Sequence, residues 1–149
     1  MKKILAIVGL GPMGRRHLEA AKSLKNFEII ICDINKDIIN QYNFKSYNNW
    51  KILIKNEKID ILIISTNANS HYDVASYAIK NKIKRILCEK PLTTSILQAE
   101  KLKKLIIKNK TLFAINHIRR WSVSYKKIKK LIDENRFGKI VQIYFDMGG

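Results

Sequence analysis

Ile4-Leu5-Ala6-Ile7-Val8-Gly9-Leu10-Gly11-Pro12-Met13-Gly14 is the stretch that decides the fold of this chain. Its first five residues form a short continuous apolar run, which predicts a strand buried on both faces of a parallel sheet. Glycines at 9, 11 and 14 predict a turn, and Arg15 to Leu24 carries helix-forming residues. A second apolar run, Ile29-Ile30-Ile31-Cys32, ends in Asp33, nineteen residues past Gly14. A glycine turn alone says little, since such turns also occur in plain loops. Strand, glycine turn, helix, strand and acid in that order make a dinucleotide-binding fingerprint. In that reading Gly9 allows the tight turn, Gly11 lets the backbone approach a pyrophosphate, and Gly14 lets helix and strand pack closely. The helix N-terminus offers unpaired N–H groups and its positive dipole end to the phosphates. Pro12 and Met13, inside the turn, are counted with the glycines as cofactor-facing. Asp33 accepts hydrogen bonds from the adenosine ribose. No arginine follows it in Ile34-Asn35 to receive a 2′-phosphate, so NAD is expected over NADP, a preference that Lys36 moderates.

The alternation of apolar strands and helical patterns continues. Ile61-Leu62-Ile63-Ile64 reads as a strand ended by Ser65-Thr66-Asn67. Ser70 is placed to cap the next helix, with Val74, Ala75, Ala78 and Ile79 on its buried side. Arg85-Ile86-Leu87-Cys88 is a strand running into Glu89-Lys90-Pro91. Ser95 with Gln98 makes a candidate capping box for a helix burying Ala99, Leu102, Leu105 and Ile106 and ending near Asn109. Leu112-Phe113-Ala114-Ile115 is a further strand, ending in Asn116-His117. From Gln41 to Lys58 only a short helix around Trp50 to Leu53 is expected. This rhythm predicts a doubly wound parallel α/β sheet. Ligands of such sheets bind beyond the carboxyl ends of the strands. Gly9, Asp33, Ser65 to Asn67, Glu89 to Pro91 and Asn116-His117 all fall at those ends.

The last segment differs in kind. Val141, Ile143, Phe145 and Met147 alternate with Gln142, Tyr144 and Asp146, a period of two that predicts a strand with one wet face. A helix from Ser122 to Asn135, stopped at Gly138, leads into it. Two regions are therefore expected: a dinucleotide-binding domain over 1–118, and the first helix and strand of an incomplete α+β domain over 119–149. Apolar residues such as Phe145 and Met147 would then lie uncovered, which predicts self-association into a homo-oligomer.

The chain has 149 residues and an apolar fraction of 46%, ordinary for a globular domain with a real core. No segment approaches the roughly 18 uninterrupted apolar residues of a membrane span. Met1-Lys2-Lys3 and the apolar run behind it end at the glycine turn with no small-residue cleavage site, so no signal peptide is read and a cytoplasmic location is expected. Lys+Arg 29 against Asp+Glu 12 would suggest nucleic acid. The excess is mostly lysine scattered over predicted helix faces. Even the cluster Lys126, Lys127, Lys129 and Lys130 lies opposite the apolar stripe of Val123, Ile128, Leu131 and Ile132. No nucleic-acid partner is expected. Cys32 and Cys88 read as free, partly buried thiols, and no metal site is read.

At these residues the chain resembles the glucose–fructose oxidoreductase / inositol dehydrogenase (Gfo/Idh/MocA) family of NAD(P)-dependent sugar oxidoreductases. The likeness runs over essentially the whole chain. It rests on the Gly9 to Gly14 turn, Thr66 with His71, Cys88-Glu89-Lys90-Pro91-Leu92, Asn116-His117-Ile118-Arg119-Arg120-Trp121 and Phe137-Gly138-Lys139-Ile140. Glu89-Lys90-Pro91 is the most specific of these. Asn67-Ala68 departs from the proline-asparagine that often follows the family's threonine. The resemblance implies a Rossmann domain with Lys90 beside the nicotinamide, where its ammonium hydrogen-bonds the reacting oxygen. To act also as a base, Lys90 would need a lowered pKa, which burial near the cofactor's positive ring could provide. The resemblance also implies Glu89 on the nicotinamide side, Pro91 fixing the turn, and Ser65, Thr66, Asn67, His71, Asn116 and Arg120 around the cofactor. Without it, Glu89-Lys90-Pro91 is an ordinary charged turn, His71 a helix-start residue, and Arg119 and Arg120 partners in a domain-junction ion pair. The function implied is oxidation or reduction of a small sugar or nucleotide sugar once a second domain completes the site. The alternative is a nucleotide-binding module or truncated remnant with no turnover of its own.

Overall fold

The computed structural model describes residues 2–144 and 146, and the chain divides into two compact units, Met1–Asn116 and His117–Gly149. The first unit is built from β1 (Lys3–Val8), α1 (Pro12–Lys22), β2 (Phe27–Cys32), α2 (Lys36–Ile39), β3 (Lys45–Tyr47), α3 (Trp50–Asn56), β4 (Ile61–Ile64), α4 (Ala68–Lys80), β5 (Arg85–Glu89), α5 (Ile96–Asn109) and β6 (Leu112–Asn116). The strands lie in the order β3-β2-β1-β4-β5-β6, with every pairing parallel. This is the doubly wound Rossmann-type α/β sheet, and the strand order reverses between β1 and β4.

Strand parity sorts the apolar residues into two cores. Leu5, Ile7, Ile29, Ile31 and Ile63 pack with Leu18 and Ala21 of α1 and Ile39 of α2. Ala6, Val8, Ile30, Cys32, Leu62, Ile64, Ile86 and Cys88 face Leu53, Val74, Ala75, Ala78, Ile79 and Leu102 of α3, α4 and α5. Because the central strands are covered on both faces, their sequences read as unbroken apolar runs.

Several element edges differ from the sequence expectation. α1 starts at Pro12 rather than Arg15, because proline is tolerated in a helix's first turn, where its missing N–H has no partner to lose. α4 starts at Ala68 with Asn67 at its N-cap, so Ser70 lies inside the first turn and not at the cap. Its hydroxyl stands 2.8 Å from both Thr66 Oγ1 and the Asn67 carbonyl. Ser95 occupies the N-cap of α5, but its side chain makes no cap bond, so the expected capping box is not formed. Thr93 Oγ1 donates to the Ser95 carbonyl at 2.9 Å instead. In α5 only Leu102 is fully buried, and Ala99, Leu105 and Ile106 are half-buried at the sheet's edge. The short strand β3 had no period signal, since three residues are too few to show one.

The second unit holds a 3-10 turn (Ile118–Trp121) and helix α6 (Val123–Asp133). Val123, Ile128 and Ile132 on its apolar stripe are exposed. The strand expected from 141 is not formed over 141–144, and Phe145 and Met147 lie outside the described residues. A strand needs a hydrogen-bonded neighbour, and the described residues of this unit contain none. Among the described residues no helix is long and apolar enough to cross a membrane.

Candidate functional site

The carboxyl ends of β1 and β4 part at a turn that only glycine can build. Gly9 has φ +91, and a Cβ there would lie 2.6 Å from the backbone carbonyl of Ser65. Such a φ favours glycine, and the contact forbids a side chain in any case. A Cβ on Gly14 would come within 1.9 Å of the Gly9 carbonyl oxygen, so this glycine sets how closely α1 approaches the turn. Ser65 Oγ donates to that same carbonyl at 2.8 Å, which fastens the β4 end to the turn. Gly11 is different. A Cβ there meets nothing within 4 Å, so its bare backbone faces open space at the N-cap of α1.

That space is a cleft of about 490 Å³ at the point where the strand order reverses. Its wall includes Gly9, Gly11, Asp33, Thr66 and Asn67. Ile34, Ile38, Trp50, Asn69, Ser70 and Asp73 also line it. Asp33 holds the turn directly, its Oδ2 accepting from Leu10 N at 2.7 Å and its Oδ1 from Asn35 N at 2.9 Å. Trp50 is fixed edge-on against Tyr77, with ring centroids 5.4 Å apart at 80°. Cys32, the last residue of β2, and Cys88, the last but one of β5, are buried free thiols. Burial, then the charges of Asp33 and Glu89 respectively, pushes each up to about 12, so both stay protonated.

A second group forms beyond β5. Glu89 is 5% exposed and pairs laterally with Asn116 in the parallel ladder. Its Oε1 lies 2.7 Å from Nε2 of His17 and accepts from Asn116 Nδ2 at 2.6 Å. Burial would raise this carboxyl. The hydrogen bonds from Asn116 and His17, the charge of His17 and the Lys90 backbone N–H outweigh it and hold the group below the usual glutamate range. Lys90 follows with its side chain exposed, before a cis peptide bond to Pro91. His71, buried at 1%, lies under this turn. Its Nδ1 is 2.7 Å from the Pro91 carbonyl oxygen and its Nε2 is 2.9 Å from that of Thr66. The ring thus lies between two carbonyl acceptors, and its tautomer decides which of them receives the N–H.

Residues 3–117 match the family described as the oxidoreductase family with an NAD-binding Rossmann fold, Gfo/Idh/MocA. The chain belongs to that family. It is 29% identical over 147 residues to the inositol 2-dehydrogenase of Salmonella typhimurium, covering 93% of this chain and 44% of that protein. It is 30% identical over 148 residues to the glucose-6-phosphate 3-dehydrogenase of Bacillus subtilis, covering 96% and 41%. Among solved structures, the myo-inositol 2-dehydrogenase of Lactobacillus plantarum superposes with a TM-score of 0.86 at 26% identity, over 95% of this chain and 44% of that one. The chain thus spans less than half the length of the relatives it matches.

Of the residues picked from the sequence, the cleft brings together Gly9, Gly11, Asp33, Thr66 and Asn67. Gly14 and Ser65 lie against the turn, and Pro12 and Met13 fall in the first turn of α1. Glu89, Lys90, Pro91, His71 and Asn116 form the second group, and Arg120 belongs to the other unit. The Lys90 side chain is exposed. His17 carries no motif signal of its own. What marks it is position: with Gly14, Leu18 and Ala21 it completes an i, i+3, i+4, i+7 stripe on the packed face of α1. Trp50 and Asp73 join the cleft only through the fold.

Proposed function

We propose that residues 1–118 form the dinucleotide-binding domain of an NAD-dependent oxidoreductase acting on a ring hydroxyl of a sugar, polyol or nucleotide sugar. Residues 119–149 open its substrate domain. The observation that carries this reading is the cleft at the strand-order reversal, which has bare Gly11 backbone at the N-terminus of α1 on one side and the Asp33 carboxylate on another. A helix N-terminus with free N–H groups suits a pyrophosphate, and a carboxylate at the end of β2 suits the two ribose hydroxyls. A phosphate on the 2′ position would instead meet like charge, which favours NAD over NADP.

The roles follow from placement. Gly9, Gly11, Pro12, Met13 and Gly14 shape the phosphate turn, and Ser65, Thr66 and Asn67 form its opposite wall. His71 and Pro91 brace the turn that carries Lys90, with Glu89 and Asn116 beside it, and Arg120 is also assigned to the cofactor. The bound nicotinamide supplies hydride acceptance or donation. Lys90 is the catalytic residue: its ammonium donates a hydrogen bond to the reacting oxygen and stabilises negative charge there. The relatives named for inositol and glucose 6-phosphate support a cyclic polyol or sugar as substrate. The free thiols of Cys32 and Cys88 suit the cytoplasm.

Fluorescence titration of the purified chain with NADH and NADPH tests the binding part. We expect NADH to bind in the micromolar range and NADPH about tenfold or more weaker. Failure to bind NADH at millimolar concentration would sink the reading. Turnover is measured separately, following NADH formation from inositols and hexose phosphates, because the chain spans only 44% of the inositol dehydrogenase it matches.

A further inference from the structure

Three elements that share no cleft wall meet at one carboxylate oxygen. Oε1 of Glu89, at the end of β5, lies 2.7 Å from His17 Nε2 on α1 and 2.6 Å from Asn116 Nδ2 at the end of β6. Parity explains the meeting. Glu89 sits two residues past Leu87, which packs into the core on the α1 face, so its side chain leaves the sheet toward that helix. On α1, His17 is one turn beyond Gly14 and next to the fully buried Leu18. The glutamate side chain is 6% exposed and that of His17 15%, so neither is a solvated surface partner. Removing either one leaves a desolvated group short of its bond.

We propose that His17 is a positioning residue that acts through Glu89, coupling the helix that opens the glycine turn to the Glu89-Lys90-Pro91 turn. The coupling has a direction. α1 is N-capped by Gly11, where the bare backbone faces the cleft, and Lys90 is covalently next to the clamped glutamate. An anion drawn against the start of α1 pulls on a rigid helix whose second turn holds Glu89. The Lys90 backbone is thereby fixed relative to the phosphate site, while its exposed side chain stays free to reach a ligand. The purpose assigned to the clamp rests on the proposed cofactor reading, but the clamp itself does not.

The experiment compares wild type with His17→Leu, His17→Gln and Glu89→Gln. Glutamine can place an amide N–H near the His17 Nε2 position, whereas leucine keeps bulk without a donor. Amide hydrogen exchange, read by mass spectrometry without cofactor, follows residues 86–92 and 112–116 against residues 27–39 as reference. We expect His17→Leu to speed exchange about tenfold or more in the first two segments, leave the reference unchanged, and be rescued by His17→Gln. In the Glu89→Gln background, His17→Leu should add little. Uniform acceleration, no acceleration, or glutamine behaving as leucine overturns the proposal. NADH titration of the same proteins is the second arm: His17→Leu weakens binding about tenfold and His17→Gln restores it. Exchange confined as expected with unchanged NADH affinity overturns the coupling. A wild type that binds no NADH sinks the cofactor reading instead, and the exchange arm still decides the clamp.

Discussion

Gly11 and Gly14 have opposite surroundings and should fail in opposite ways when each is replaced by alanine. A methyl at Gly14 would sit 1.9 Å from the Gly9 carbonyl oxygen and 2.8 Å from both its carbon and Ser65 Oγ. The nearest obstacle is backbone, so α1 must move away from the turn by about an ångström before the contact is tolerable. Overpacking of this kind costs about 1–3 kcal/mol, and a backbone obstacle places Gly14→Ala at the upper end. At about 2–4 °C per kcal/mol for a chain of this size, its Tm should fall by about 6–12 °C. Gly11→Ala meets nothing within 4 Å, at an ordinary φ of −63. Its fold should be unharmed, or firmer by about 0.4–1 kcal/mol through a less flexible unfolded chain. Its methyl, however, projects where a pyrophosphate would lie, and NADH affinity should drop about tenfold or more, about 1.4 kcal/mol. Circular dichroism melts and NADH titrations of both variants separate the two effects. A Gly11→Ala protein that binds NADH like wild type would refute the phosphate role of Gly11. A Gly14→Ala protein with the wild-type Tm would refute the packing argument.

Asp33→Ala removes the acceptor for Leu10 N and Asn35 N together with the proposed ribose contact, so NADH affinity should fall about tenfold while the preference over NADPH narrows; an unchanged ratio of the two affinities would count against it. Cys32 and Cys88, buried and pushed up to about 12, should resist a thiol-reactive disulfide in the native protein and react fully in denaturant, as the absorbance of the released thiolate reports. The Glu89 carboxyl is held below its ordinary range, so its contribution to stability is complete above the ordinary glutamate value and is lost as pH falls through the lowered folded one. Melts across the acid range should therefore show wild type losing Tm more steeply than Glu89→Gln, and parallel curves would contradict this.

The central sheet was legible because strands buried on both faces must be written as apolar runs, and Leu5 to Val8, Ile29 to Cys32 and Ile61 to Ile64 leave little room for another reading. The glycine turn was legible for a related reason: a φ of +91 beside a neighbouring backbone admits one residue type. Element edges were less so, because a proline in the first turn of α1 and the local hydrogen bonds of Asn67 and Thr93 leave no mark in the periodicity. What sequence alone could least supply is where a polar side chain goes once its strand has a place in the sheet. Glu89 next to Lys90 reads equally well as a ligand for a cofactor or as half of a charged turn. The choice depends on β5 lying next to β4 and on Glu89 sharing the parity of Leu87, which turns the carboxylate toward α1. Once there, two donors already occupy Oε1, so any contact Glu89 makes with a cofactor must use its other oxygen or act through the position of the turn. That narrows its part in the chemistry. On the proposed reading Glu89, its carboxylate held by the protein, fixes geometry, and the exposed ammonium of Lys90 is the group of this turn that meets a substrate.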